Sequence, residues 1–256
     1  MRTFPRDKSN GYETAARSFM LTRNPRIGAS TVREWSQGLP PGSSILDLGC
    51  GHGVPISQVL TEERFSVYGI DASPTLIGAF RKRFPGAHAE CSTVEDSEFF
   101  RRSFDGVVAW GLMFLLPPDV QPIIVRKMAR ALSPNGKLLF TSPKEAVRWR
   151  DELTGRESVS LGAERYRRIL DTEGFVLDGE QSDEGDNHYY SVSKPLEGVA
   201  VFPRFHAKNG PGSPTSRVSA TEDTGKKSPP RPGRSSTSGS LRRLLRGHRN
   251  RRTWYK

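Results

Sequence analysis

Residues 44–57 constrain this chain more than any other stretch. A short apolar run, Ile45, Leu46 and Leu48, breaks into glycines at 49, 51 and 53 and then into Pro55. A near-continuous apolar run of this length reads as a buried parallel strand. Glycines at alternate positions let the backbone turn tightly and approach a ligand closely. Pro55 suits the first turn of a helix, where its missing N–H costs nothing. Strand, glycine loop and helix together place a nucleotide-type pocket at the carboxyl end of a strand.

The kind of nucleotide follows from what the loop lacks. The dinucleotide fingerprint G-x-G-x-x-G needs a third glycine at position 54, where this chain has Val54. The pattern here is G-x-G-x-G, with Asp47 inside the strand end. A carboxylate in that place suits a cationic or amine-bearing ligand and repels a pyrophosphate. The stretch resembles the first motif of the class I S-adenosylmethionine-dependent methyltransferases, an acid followed by G-x-G-x-G. The resemblance implies that Asp47, Gly49, Cys50, Gly51 and Gly53 surround the methionine part of S-adenosylmethionine.

Helical and strand patterns alternate beyond this loop. A helix is expected over 55–63, then a strand from Phe65 to Ile70 that ends at Asp71. Ser73 followed by Pro74 is a cap and a first-turn proline, opening a helix to Phe84. Further strands are expected at 87–91, 104–110 and 137–141, with a helix over 119–132 and a turn at 133–136. Residues 142–160 read as an irregular insertion, followed by a helix over 161–172. Two last strands, 174–177 and 188–193, are close enough to pair antiparallel. The fold class expected is α/β, a Rossmann-like, doubly wound sheet with helices on both faces. The resemblance implies seven strands, mostly parallel, with an antiparallel last strand.

Before the first strand, Tyr12, Ala15, Ala16, Phe19 and Met20 recur at helical spacing, as do Val32, Trp35 and Leu39. The domain reading is an N-terminal helical cap over 1–40, a cofactor-binding core over 41–195 and a tail over 196–256. Tyr12 and Arg17 are candidate pocket residues on the cap.

Asp71 lies about 20 residues beyond Gly49, where an acid accepts hydrogen bonds from ribose hydroxyls. The resemblance gives it the same role, with Ala72 beside it. In the family an acid and a backbone amide after the third strand commonly read the adenine edge. Here no acid directly follows Cys91, so Thr93, Val94 and Glu95 are the candidates. Trp110, at the end of the fourth strand, is a candidate for lying against the cofactor. The run from Ala109 to Leu116 is not the Asn/Asp-Pro-Pro-aromatic signature of enzymes that methylate adenine or glutamine amino groups. A general base is needed only if the acceptor must first lose a proton. His188 is the leading candidate because its pKa lies near neutrality; Tyr189, Asp151 and Glu157 are the others. The scattered Asp and His residues give no metal-ligand set.

Charge is divided unevenly. Residues 203–256 hold 14 Lys+Arg and 2 Asp+Glu, whereas residues 1–202 hold 25 and 26. The segment 207–240 is rich in Gly, Ser, Pro and Thr, too polar to bury a core, and reads as a disordered extension. Its charge could hold a nucleic acid or another anionic surface. The two cysteines make no disulfide framework or zinc spacing, which fits a reducing compartment. No signal peptide or membrane span is evident, and the expected location is cytoplasmic. The activity expected is in-line methyl transfer to a small-molecule acceptor. The alternatives are an RNA or protein acceptor held by the basic tail, and a non-catalytic cofactor-binding scaffold. Oligomeric state is not legible.

Overall fold

The computed structural model describes residues 8–196 of the 256-residue chain. The expected disordered tail, beyond Leu196, lies outside the described residues. The strands are β1 (Ser44–Leu48), β2 (Ser66–Asp71), β3 (His88–Cys91), β4 (Phe104–Ala109), β5 (Leu132–Thr141), β6 (Ala146–Arg150), β7 (Glu157–Leu161), β8 (Val176–Ser182) and β9 (His188–Ser193). The helices are α1 (Tyr12–Thr22), α2 (Ala29–Ser36), α3 (Ile56–Glu62), α4 (Pro74–Arg83), α5 (Val120–Ala131) and α6 (Ala163–Thr172).

One seven-stranded sheet runs β3-β2-β1-β4-β5-β9-β8. The pairs from β3 to β5 are parallel, and β9 lies antiparallel to both β5 and β8. The chain leaves β1 in one direction to β2 and β3, then returns to the other side of β1 as β4. That reversal opens a crevice beyond the carboxyl ends of β1 and β4, where ligands bind in open α/β sheets.

Alternation along each strand decides which layer a residue joins. Ile45 and Val108 pack with Val32 and Trp35 of α2, Val59 and Leu60 of α3 and Ile77 and Phe80 of α4. Leu46, Leu48, Val107 and Ala109 face the opposite layer, with Ile124, Val125 and Met128 of α5 and Tyr166 and Leu170 of α6. Both faces are therefore covered, which is why the strands read as continuous apolar runs. Because α2 joins the main core, residues 29–39 are part of the sheet's own packing. Only α1 crosses the end of the sheet, where Tyr12 and Ala16 pack on Leu76, with Phe19, Met20 and Leu115 alongside.

Two segments differ from expectation. Residues 142–160 are not irregular: β6 and β7 form a two-stranded antiparallel hairpin. Ser158 and Ser160 point inward and are buried, so the apolar alternation that marks a strand is hidden. A polar network anchors the hairpin: Tyr166 Oη donates to Gln121 Oε1 at 2.6 Å, and Gln121 Nε2 donates to Val159 O at 2.9 Å. The turn expected at 133–136 is absorbed into β5. Asn135 takes φ 61° there, the register against β4 shifts, and Asn135 N donates to Lys194 O at 2.9 Å. Lys194 also donates from Nζ to Ala129 O and Leu132 O, at 3.0 and 2.9 Å. A cation at that helix end satisfies carbonyls the helix leaves free.

Candidate functional site

At the sheet's crevice lies a cavity of about 390 Å³, within the range of small-molecule sites. Asp47, Gly49, Cys50 and Gly51 line one wall, and Asp71 and Ala72 the next. Thr93, Val94 and Glu95 line a third, and Trp110 faces them from the end of β4. The structure thus brings together nearly all the cofactor residues expected from sequence. Gly53 is the exception. A Cβ there would stand 2.2 Å from Phe84 and 3.0 Å from Phe80, so Gly53 is a packing glycine of the core.

The glycine loop is a cradle. Gly49 and Gly51 have φ 68° and 55°, a region side chains avoid. A Cβ on Gly51 would press on Phe19 of α1 at 3.3 Å, and one on Gly49 on Leu112 at 3.2 Å. The cavity's width at these points therefore depends on the missing side chains.

Asp71 is held from two sides. Its Oδ2 accepts from Gly51 N at 2.9 Å and its Oδ1 from Ser73 N at 2.8 Å. The carboxyl faces the cavity rather than bulk water, and this burial lifts its pKa from 3.8 to about 6, against the pull of the two amides. Asp47 is 1 % exposed and accepts from Ser57 Oγ at 2.5 Å. Burial raises its pKa from 3.8 to about 7, with the Ser57 bond opposing and Asp71 adding to the rise. Burial also pushes the Cys50 thiol well up, so it stays protonated and is no nucleophile.

The 93–97 turn is built as a unit. Thr93 Oγ1 accepts from Asp96 N at 3.1 Å, and Thr93 O from Ser97 N at 2.9 Å. From α5, Lys127 Nζ donates to Val94 O at 2.8 Å, Glu95 O at 3.1 Å and Ser97 O, over the Phe99 ring. Sequence reading missed Lys127, because a lysine on an amphipathic helix ordinarily marks the solvated face. It also missed Arg23, whose guanidinium lies 3.8 Å from the Trp110 ring centroid and whose Nε donates to Val54 O at 3.4 Å. Arg23 lines the cavity just past the end of α1, where no local pattern distinguishes it. Asn10 Nδ2, also at the cavity, is buried with no hydrogen-bond partner among the described residues.

Tyr12 lines the cavity, whereas Arg17 is exposed on the far side of α1. Glu13, between them, ties α1 to the start of α4. Its carboxylate accepts from Ser73 Oγ, from Thr75 N at 3.1 Å and from Thr75 Oγ1 at 2.7 Å.

His188, the leading base candidate, is not at the cavity. It is buried beside Tyr190 with Nε2 3.0 Å from Glu180 Oε2, and burial lowers its pKa. It belongs to the packing of β9 on β8 and α6. Tyr189 is also buried, donating to Asp183 Oδ2 at 2.7 Å while receiving the Trp110 indole N–H at 2.5 Å. Glu157 is exposed and paired with Arg148. Two of the base candidates touch a cavity residue: Asp151 through Tyr12, and Tyr189 through Trp110.

Residues 45–136, from within β1 into β5, match the family model of a methyltransferase domain. This part of the chain is similar to methyltransferase domains. The sheet order and the antiparallel β9 are those of the class I S-adenosylmethionine-dependent methyltransferase fold. An uncharacterized methyltransferase of Schizosaccharomyces pombe is 31% identical over 105 residues, 40% of this chain and 40% of its own length. Another, of Synechocystis, is 31% identical over 111 residues, 43% of this chain and 52% of its own length. The chain therefore spans about half or less of the length of the curated relatives it matches.

Solved structures share the fold. A TehB-like SAM-dependent methyltransferase from Corynebacterium glutamicum matches with TM-score 0.55 and 21% identity, over 73% of this chain and 97% of that one. N-methyltransferase NodS from Bradyrhizobium japonicum, in complex with S-adenosyl-L-homocysteine, gives 0.57 and 20%, over 73% and 99%. The [4+2]-cyclase SpnF gives 0.57 and 15%, over 76% and 98%. A cyclase among these neighbours shows that the fold alone does not fix a reaction. No described helix is long and apolar enough to cross a membrane.

Proposed function

We propose that the domain binds S-adenosylmethionine in this cavity and transfers its methyl group to an acceptor lodged beside it. One observation carries the reading: Asp47 and Asp71 open onto a single cavity, with the side-chain-free backbone of Gly49 and Gly51 between them. The chain's groups fit the ligand. Asp71 is placed for ribose hydroxyls, and Thr93, Val94 and Glu95 for the adenine edge. Asp47 suits the ammonium of the methionine half, Arg23 its carboxylate. The unpartnered Asn10 amide supplies a further donor. When bound, the sulfonium supplies an already activated methyl carbon. The chain's task is then alignment and exclusion of water, and proximity of this kind is worth about 7–11 kcal/mol in well-oriented systems.

The cavity, bordered by Tyr12 and Phe19 of α1, is of a size that favours a small acceptor. A second reading rests on the 14 Lys+Arg against 2 Asp+Glu of residues 203–256: an anionic RNA or protein acceptor. Its binding would fall steeply with salt, and truncation after Pro195 would abolish acceptor binding while sparing cofactor binding.

A thermal melting scan tests the cofactor assignment. S-adenosylmethionine and S-adenosylhomocysteine at 100 times their Kd should stabilise the protein by about 2.7 kcal/mol, and NAD should not. A shift with NAD alone, or with none of the three, would overturn it.

A further inference from the structure

Two residues outside the 45–136 span meet at the cavity. Tyr12 opens α1, and Asp151 directly follows β6 of the hairpin. Tyr12 Oη donates to Asp151 Oδ2 at 3.2 Å. The pair is shielded from bulk water: Tyr12 is 9% exposed and Asp151 4%. Asp151 is fixed by its other oxygen, since Oδ1 accepts from Leu153 N at 3.0 Å and Thr154 N at 2.7 Å. Tyr12 is fixed by its ring, which meets Phe19 edge-on at 5.4 Å.

The hydroxyl's direction matters. The hairpin follows β5, packs on the 113–115 turn after β4, and meets the start of α1 with its tip, where a Cβ on Gly11 would stand 2.9 Å from Thr154 and where Tyr12 Oη reaches Asp151. Asp71 and the 93–97 turn lie across the cavity, beyond β2 and β3. The lining includes an apolar stretch, Leu112, Leu115, Leu116, Pro117 and Val120, with the polar Lys8, Ser9 and Asn10 just before Tyr12 in the chain. A phenol whose proton is committed to a carboxylate presents only its oxygen lone pairs to that space, and lone pairs accept from N–H or O–H.

Resting on the cofactor assignment, we infer that Tyr12 is the group that receives the acceptor's proton, with Asp151 as the positioning residue behind it. The acceptor is a small, largely apolar amine or hydroxyl compound. As the acceptor's lone pair bonds to the methyl carbon, its N–H or O–H proton passes to Tyr12 Oη. Tyr12's own proton passes to Asp151 Oδ2, and the electron pair of the broken carbon–sulfur bond stays on sulfur. Charge balances: the sulfonium is neutralised as Asp151 becomes a neutral acid. Burial and the Asp151 charge both push the Tyr12 phenol above its usual range, so it does not hold a standing negative charge. A relay of this kind needs none.

The test compares wild type with Tyr12→Phe and Asp151→Asn. Phenylalanine keeps the ring on Phe19, and asparagine keeps an acceptor for the Leu153 and Thr154 amides, so both should fold. Calorimetry with S-adenosylhomocysteine should give affinities within about threefold of wild type. Labelled methyl transfer is then read on two panels of small apolar compounds. One holds primary and secondary amines, alcohols and phenols; the other holds tertiary amines and thioethers, which have no proton to give. The first panel should be methylated, with kcat falling about 100-fold in each variant, KM unchanged, and the double variant no worse than Tyr12→Phe. Wild-type kcat in Tyr12→Phe overturns the relay. So does a wild type that binds S-adenosylhomocysteine yet methylates only the second panel, or neither. A wild type that does not bind S-adenosylhomocysteine overturns the cofactor assignment, and the relay with it.

Discussion

The Gly51 amide donates to Asp71 Oδ2 at 2.9 Å, tying the turn after β1 to the end of β2. One carboxylate oxygen thereby organises the loop, and Ser73 N holds the other at 2.8 Å. Two further acceptor directions on that carboxylate are left for a ligand. The bond makes loop shape and ligand recognition a single property.

Asp47 and Asp71 set a pH dependence. Each holds its proton more tightly folded than unfolded, with values of about 7 and about 6 against an ordinary 3.8. Between 3.8 and those values the folded state binds more protons, so stability falls as pH rises through that window. Asp47→Asn should therefore raise the ligand-free melting temperature at pH 8, by roughly 3–6 °C for about 1.5 kcal/mol. Ligand affinity runs the other way. The ligand's ammonium and ribose hydroxyls need the charged carboxylates, so affinity for S-adenosylhomocysteine should fall toward tenfold per unit as pH drops from 7 to 5. A flat affinity profile would remove Asp47 from the site.

Lys127 bridges three carbonyls of the 93–97 turn from α5 without touching the cavity. Lys127→Met keeps the stem's packing but leaves those carbonyls without their donor. Affinity for S-adenosylhomocysteine should fall about tenfold, the equivalent of one charged hydrogen bond. Homocysteine alone, which lacks the adenine, should bind equally well to both proteins in a competition assay.

The last two glycines of the loop should fail differently. Gly51→Ala puts a Cβ at φ 55° against Phe19, whose ring can shift with α1. It should cost about 1–2 kcal/mol of stability and most of the ligand affinity. Gly53→Ala drives a Cβ into Phe84 and Phe80 and should cost about 1–3 kcal/mol or more. Denaturant melts and calorimetry on both variants separate a cavity glycine from a packing one.

Much of this was readable in the chain. The succession of strands and helices along the chain follows from the alternation of apolar runs with capped helices, and Ser73 caps α4 as its sequence implies, accepting from Leu76 N at 3.1 Å. Asp47 and Asp71 were identifiable because an acid at a strand end has few other uses. Gly53 misled because spacing cannot tell a glycine that clears space for a ligand from one that clears space for Phe84. His188 misled because its chemistry, not its surroundings, recommended it; Glu180 and Tyr190 claim it in the fold. The β6–β7 hairpin hid behind inward-facing serines: Ser160 Oγ donates to Pro143 O and accepts from Ser142 Oγ, contacts that lie outside the hairpin. Arg23 and Lys127 act through contacts distant in sequence, and no local pattern encodes them.

Arg23 should separate the two halves of the ligand. Arg23→Ala removes the cation beside Trp110 and the glycine loop. S-adenosylhomocysteine should bind about 10–100-fold more weakly, at roughly 1.5–3 kcal/mol for a charged hydrogen bond. Methylthioadenosine, which has no carboxylate, should bind as it does to wild type. Equal losses for both ligands would place Arg23 in the packing instead.

The most direct measurement is titration calorimetry of S-adenosylhomocysteine into wild type and Asp71→Asn at pH 8. The wild type should bind one equivalent. Asp71→Asn should bind at least 30-fold more weakly, the loss of two charge-assisted bonds at about 1 kcal/mol or more each, while melting within a few degrees of wild type. Absence of binding to wild type, or equal affinity in the two proteins, would contradict the cavity as a site for this nucleoside.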